Sequence, residues 1–194
     1  MDIFDAIKNR RSIHHFIRDE ISDEMVKTLL ESAHWAPTAG NLQPCRFIVV
    51  KKTETIEKLI STAYPGYSLN FLREASVVII VCADESVYDK KSEMYKDRGP
   101  SLFCLQDTAA AIENILLTAV ALGLGACWVG AYYEEAVKQH LNIPEGVRPV
   151  ALVPIGRTRS KSKPPPKRAL EELISYETYK TKKTGVSKSS RKTL

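Results

Sequence analysis

The chain has 194 residues and is 44% hydrophobic, which suits one globular domain with a sizeable core. Its formal charge of +5 would suit a nucleic-acid binder, but Lys180, Lys182, Lys183, Lys188, Arg191 and Lys192 all fall in residues 180–194, without an acid among them. Removing those six charges leaves −1 for residues 1–179, so the body is close to neutral, nucleic acid is not its expected partner, and 180–194 reads as a basic, disordered tail. The expected organisation is one domain over 1–179 followed by that tail. Asp2–Arg10 predicts a helix with Ile3, Phe4, Ala6 and Ile7 on one side. Ser22 is an N-cap ahead of Asp23 and Glu24, and Met25, Val26, Leu29, Leu30 and Ala33 form the stripe of a helix that Pro37 ends. Arg46–Val50 predicts a strand, Thr55–Ala63 a helix stopped at Tyr64-Pro65-Gly66, and Ser76–Cys82 a strand covered on both faces.

Residues 85–104 are charged and aromatic, with Gly99-Pro100 inside, and read as an irregular excursion that could cover a site. Leu105–Leu122 is a helix apolar nearly all round, which implies burial, one route being a second copy of the chain. It carries Asp107 and Glu113, so it does not read as a membrane span. Gly123-Leu124-Gly125 stops it. Ala126–Val129 is a short strand ending at Gly130, Glu134–Leu141 a helix closed by Asn142 and Pro144, and Pro149–Ile155 a last strand. Pro164-Pro165-Pro166 should be extended, with Lys167-Arg168 after it. Interleaved helices and about four strands predict a layered α+β or α/β domain.

Two segments could carry chemistry. Arg10-Arg11-Ser12 offers fixed positive charge and a hydroxyl, either for an anionic phosphate or as a solvated helix end. Pro37-Thr38-Ala39-Gly40-Asn41-Leu42-Gln43-Pro44 offers amide side chains and a glycine that permits close approach. It suits a flat heterocycle's hydrogen-bonding edge, or an ordinary helix–strand connection. Gly130 could let a ring lie against the backbone or could be a turn glycine. No G-x-G-x-x-G follows a predicted strand and no G-x-x-x-x-G-K-[ST] is present. Cys45, Cys82, Cys104 and Cys127 have no C-x-x-C spacing and no nearby pair of histidines, which argues against zinc and a thioredoxin-like motif. Free thiols and a first turn interrupted by Asp2 and Asp5 point to a reducing cytoplasm. With no Ser-His-Asp or Cys-His nucleophile legible, an enzyme of this sequence would rely on a cofactor.

These segments together resemble the nitroreductase family of FMN-dependent oxidoreductases. The resemblance rests on Arg10-Arg11-Ser12-Ile13-His14-His15-Phe16, on Ala36–Pro44, on Asp107–Gly130 and on Pro154–Arg168, in that order. It implies a central mixed sheet flanked by helices and an intertwined homodimer with FMN at the subunit interface. Arg10, Arg11, Ser12, His14, Lys167 and Arg168 would then serve the phosphate, ribityl and pyrimidine end. Pro37, Thr38, Ala39, Gly40, Asn41 and Gln43 would come from the partner chain to line the flavin ring, with Gly130 facing it. The implied reaction takes hydride from NADH or NADPH and reduces nitroaromatic, quinone or similar oxidised small molecules by a ping-pong mechanism. The alternative is a flavin-binding sensor or carrier without turnover. His14 departs from the family's usual Arg or Lys, which makes the local charge depend on pH. Cys45 departs from its usual Trp, and the basic tail is not part of the family pattern.

Overall fold

The computed structural model describes residues 1–89, 91–159 and 163–179. The chain divides into two compact units, Met1–Ser162 and Lys163–Leu194. The expected tail, 180–194, lies outside the described residues. In chain order the first unit contains α1 (Ile3–Asn9), α2 (Asp23–His34), β1 (Cys45–Val50), α3 (Thr53–Ile60) and β2 (Val77–Asp84). It continues with α4 (Glu93–Arg98), α5 (Cys104–Ala121), β3 (Gly125–Ala126), α6 (Glu134–Leu141) and β4 (Val147–Gly156).

The strands form one sheet in the order β1-β2-β4-β3, every ladder antiparallel. A single parallel bridge, Ser12 to Ala126, makes the sheet mixed. In β2, Val77 to Ala83 are each at most 1% exposed, so both of its faces need an apolar cover. Val77, Ile79 and Val81 meet α2 and α5 through Leu29, Ala33, Ile112, Ile115 and Ala119. Val78, Ile80 and Cys82 meet α3 and α6 on the other face through Ile56, Leu59 and Val137. The result is the expected α/β/α layering.

Local chemistry sets the element ends. The Ser22 hydroxyl accepts from the Met25 N–H at 3.2 Å and caps α2. Asn142 closes α6 in the left-handed conformation at φ 53°. The strand expected over Ala126–Val129 is a two-residue ladder followed by one bridge, Val129 to Leu152. Cys127 N–H donates to the Pro154 carbonyl at 3.3 Å, and Pro154 has no N–H to return, so the ladder lapses there. Residues 85–103 hold a short 3-10 turn (Glu85–Tyr88), α4 and a π-helical turn (Gly99–Phe103) that runs into α5.

Two expectations about burial change. The stripe on α1 is not a core stripe within one chain: Ala6 is buried, but Ile3, Phe4 and Ile7 are 58%, 64% and 51% exposed. α5 is only partly buried by its own chain: eight of its 18 residues are buried, between α2 and the sheet, while Ala109, Ala110, Leu117 and Val120 are half-buried. The helical run Glu93–Ala121 has the length and hydropathy of a membrane span, yet it supplies the interior of this layer. Truncating its fully buried Ile115 to Ala should lower the unfolding free energy by about 2–5 kcal/mol in urea denaturation.

All four cysteines are free; three are buried and Cys45 is half-buried. Burial pushes the Cys45 thiol up to about 11, that of Cys82 to about 12 and that of Cys104 to about 11, and raises Cys127 as well. Only the thiolate is nucleophilic. At pH 8 the folded protein should therefore resist iodoacetamide at all four positions and react in urea, as read by intact mass.

Candidate functional site

A cleft of about 460 Å³ opens on the α3/α6 side of the sheet, lined by His14, His15, Tyr67–Leu69, Phe71 and Cys127–Ala131. One wall is the segment after β3. It is held to β4 by reciprocal Val129–Leu152 bonds at 3.0 Å and to the end of α3 by Tyr133 N–H on the Thr62 carbonyl at 2.8 Å. Tyr64 and Tyr133 stack edge-to-face at 4.4 Å and fasten the same junction. His14 stands between the walls, its Nε2 3.4 Å from Cys127 Sγ and its ring edge-on to Phe71 at 4.8 Å. Gly130 is exposed, and a Cβ added there would meet nothing within 4 Å. Its φ is outside the left-handed region, so neither backbone nor packing calls for glycine at that position.

The cation pair sits where the chain crosses from α1 to the sheet edge. Arg10 Nε lies 3.7 Å from Glu113 Oε1 of α5. Arg11 Nη1 donates to the Lys8 and Arg10 carbonyls at 2.6 and 2.7 Å, so it caps the end of α1. Ser12 pairs with Ala126 and leads directly to His14.

Pro37–Gln43 is elsewhere, on the α2/α5 side, and none of it lines the cleft. Gly40, Asn41 and Gln43 take φ of 57°, 55° and 52° in a tight turn. Thr38 Oγ1 accepts from the Gln43 N–H at 3.1 Å, Gln43 Nε2 donates to the Asn41 carbonyl at 3.3 Å and Arg46 to the Gln43 carbonyl at 2.9 Å. Ala39 N–H reaches Asp107 of α5. A Cβ on Gly40 would stand 2.7 Å from the Tyr95 hydroxyl and would have to displace that ring end, while φ 57° itself favours glycine. The excursion 85–103 therefore covers this turn rather than the cleft.

Of the residues singled out from sequence, the structure unites His14 with Gly130 in the cleft, and Pro37, Thr38, Ala39, Gly40, Asn41 and Gln43 in the turn. Lys167 and Arg168 are exposed in the second unit. Sequence reasoning missed His15, Tyr67, Phe71, Cys127 and Trp128. The one available signal was Trp128, a large ring next to Gly130 in a strand otherwise made of buried residues.

The chain is similar to known proteins in sequence and in fold. The Nitroreductase family profile matches residues 7–65 and 61–157. A Methanothermobacter thermautotrophicus protein, provisionally named NADH dehydrogenase/NAD(P)H nitroreductase, is 37% identical over 160 residues, covering 80% of this chain and 77% of its own. The crystal structure of a Clostridium acetobutylicum protein provisionally named an NADH oxidase superposes with a TM-score of 0.73 at 36% identity, covering 90% of this chain and 99% of that one. A nitroreductase-like protein of Exiguobacterium sibiricum, crystallised with FMN, shares the fold at a TM-score of 0.78 and 22% identity, covering 91% of this chain and 98% of that one. The chain, with its α/β/α layers, its cleft behind β3 and its turn ahead of β1, belongs to the nitroreductase family.

Proposed function

We propose that the protein is a homodimeric, FMN-dependent oxidoreductase that takes hydride from NADH or NADPH and reduces nitroaromatic, quinone or similar small acceptors in a ping-pong cycle. The observation that carries this reading is the open position at Gly130, which lines the cleft together with Phe71 and Trp128 and where an added Cβ would meet nothing within 4 Å. A flat ring laid against that backbone accounts for a glycine the fold itself does not need. The residues present fit FMN. Arg10 supplies fixed positive charge and Ser12 a hydroxyl beside Cys127 at one end of the cleft, and His14 adds a ring nitrogen. Arg11, engaged with helix carbonyls, would serve the phosphate through its charge.

Two features support two chains. The cleft and the Pro37–Gln43 turn lie on opposite sides of one sheet, so a ligand touched by both needs the turn of a partner. The face of α1 formed by Ile3, Phe4 and Ile7 is apolar and exposed, as an interface between copies would be. FMN, when bound, supplies the two-electron chemistry that no nucleophile in this chain offers. The chain's part is to hold the phosphate, to leave one ring face open for donor and acceptor in turn, and to aim the partner's Asn41 and Gln43 amides at the ring edge. Free, protonated thiols and a near-neutral body fit a reducing cytoplasm.

The purified protein should be a yellow dimer with a flavin band at about 450 nm. It should oxidise NADH or NADPH in the presence of menadione or a nitrofuran. A yellow protein inert to both donors would be a flavin carrier, and a colourless single chain that refuses added FMN would end the proposal. Gly130→Leu should weaken FMN binding by at least about tenfold, read by fluorescence titration. Its stability should stay within about 0.5 kcal/mol of the parent, because the new side chain enters open space.

A further inference from the structure

Asp107 is a buried carboxylate whose hydrogen bonds all go to the turn and to the segment that covers it. It is 6% exposed in the first turn of α5, and none of the salt bridges among the described residues includes it. The Ala39 N–H donates to both carboxylate oxygens at 3.1 Å, and the Tyr88 hydroxyl donates to Oδ2 at 3.1 Å. Both neighbours donate to it as they stand, and an ionised carboxylate offers the Ala39 N–H both oxygens as acceptors where a protonated one offers a single unencumbered oxygen. The other titratable groups facing it are the thiols of Cys45 and Cys104, each pushed up to about 11 and so neutral at pH 7.

Beyond Ala39 the backbone turns left-handed at Gly40, Asn41 and Gln43. Asn tolerates that region, but Gln43 is held there by its surroundings. The surroundings here are Asp107 beneath and Tyr95 above. Tyr88 is fixed in its turn by Gly99, where a Cβ would fall 2.2 Å from the ring.

We propose that Asp107 is a positioning residue: with Tyr88 it clamps the Ala39 amide and so holds the Thr38–Gln43 turn in the form that presents Asn41 and Gln43 to a flavin on the partner chain. This rests on the function proposed above, and Asp107 touches no ligand in it. A carboxylate that merely favours the first turn of a helix would tolerate Asn without disturbing the turn. Asp107→Asn is nearly isosteric but turns an N–H₂ group towards a donor.

Stability and clamping separate by sign. Burial raises the Asp107 pKa, opposed by the Ala39 and Tyr88 donors. A carboxyl with a raised folded value contributes stability that falls as pH rises through that value, so the ionised clamp is held against the preference of the fold. Removing the charge should therefore loosen the turn and leave the melting temperature near that of the parent.

The test uses the full chain. In Asp107→Asn the Ala39 amide should exchange about tenfold faster by NMR, in FMN-free protein that melts within a few degrees of the parent. The FMN dissociation constant should rise about tenfold as well. On acidification the protection of Ala39 should fall in the parent and stay level in the variant. Tyr88→Phe, which keeps the ring against Gly99, should move exchange the same way by less, and it carries the test should Asp107→Asn fail to fold. Unchanged exchange, or FMN bound as tightly by the variant as by the parent, overturns the clamp. A parent that binds no FMN overturns the cofactor proposal instead, and amide exchange still judges the clamp.

Discussion

A strand apolar on both faces cannot be satisfied by one layer of helices, and the rest of this structure follows from that demand in β2. Its seven residues from Val77 to Ala83 are essentially dry. α2 and α5 close one side, and α3, α6 and the Leu69–Leu72 stretch close the other. Each neighbour of β2 runs antiparallel to it, so the connections must carry the chain over both layers. The segments they leave at the margins, His14-His15, Tyr67–Leu69 with Phe71, and Cys127–Ala131, become the walls of the cleft. The cleft thus lies where the layers end rather than inside them.

The same layering divides the polar apparatus. The cleft belongs to one side of the sheet, with histidines, aromatic rings and a bare glycine. The turn at 38–43 belongs to the other, with amide side chains held over α5. Neither half is a complete site for an extended ligand with an anion at one end and a heterocycle at the other. In the proposed dimer a second copy of the chain would cover the exposed apolar face of α1 and bring the two halves together.

Much of the fold was legible because its signals are local. The Val77–Cys82 run, the Ser22 cap, and Asn142 with Pro144 after α6 each act within a few residues, and the structure follows them closely. What escaped depends on partners far along the chain. The lapse of the strand after Ala126 comes from Pro154, which matters only once the β3–β4 register is known. Tyr67–Phe71 follows a plain turn with no periodicity of its own, yet it forms a wall of the cleft. The anchoring of Ala39 by Asp107 spans 68 positions and has no signature in either segment. The α1 stripe was visible as a pattern, but a pattern says that a face is apolar and not which molecule covers it.

The separation of cleft and turn on opposite sides of the sheet has a genetic corollary for such a dimer. Each site would draw one half from each polypeptide, so a lesion in the turn and a lesion in the cleft harm a site independently. Mixing a chain damaged only at the turn with one damaged only at the cleft would give heterodimers in which one site collects both faults and the other collects neither. Intersubunit complementation of that kind would be a property of the layering itself, set by the demand of β2 for two covers.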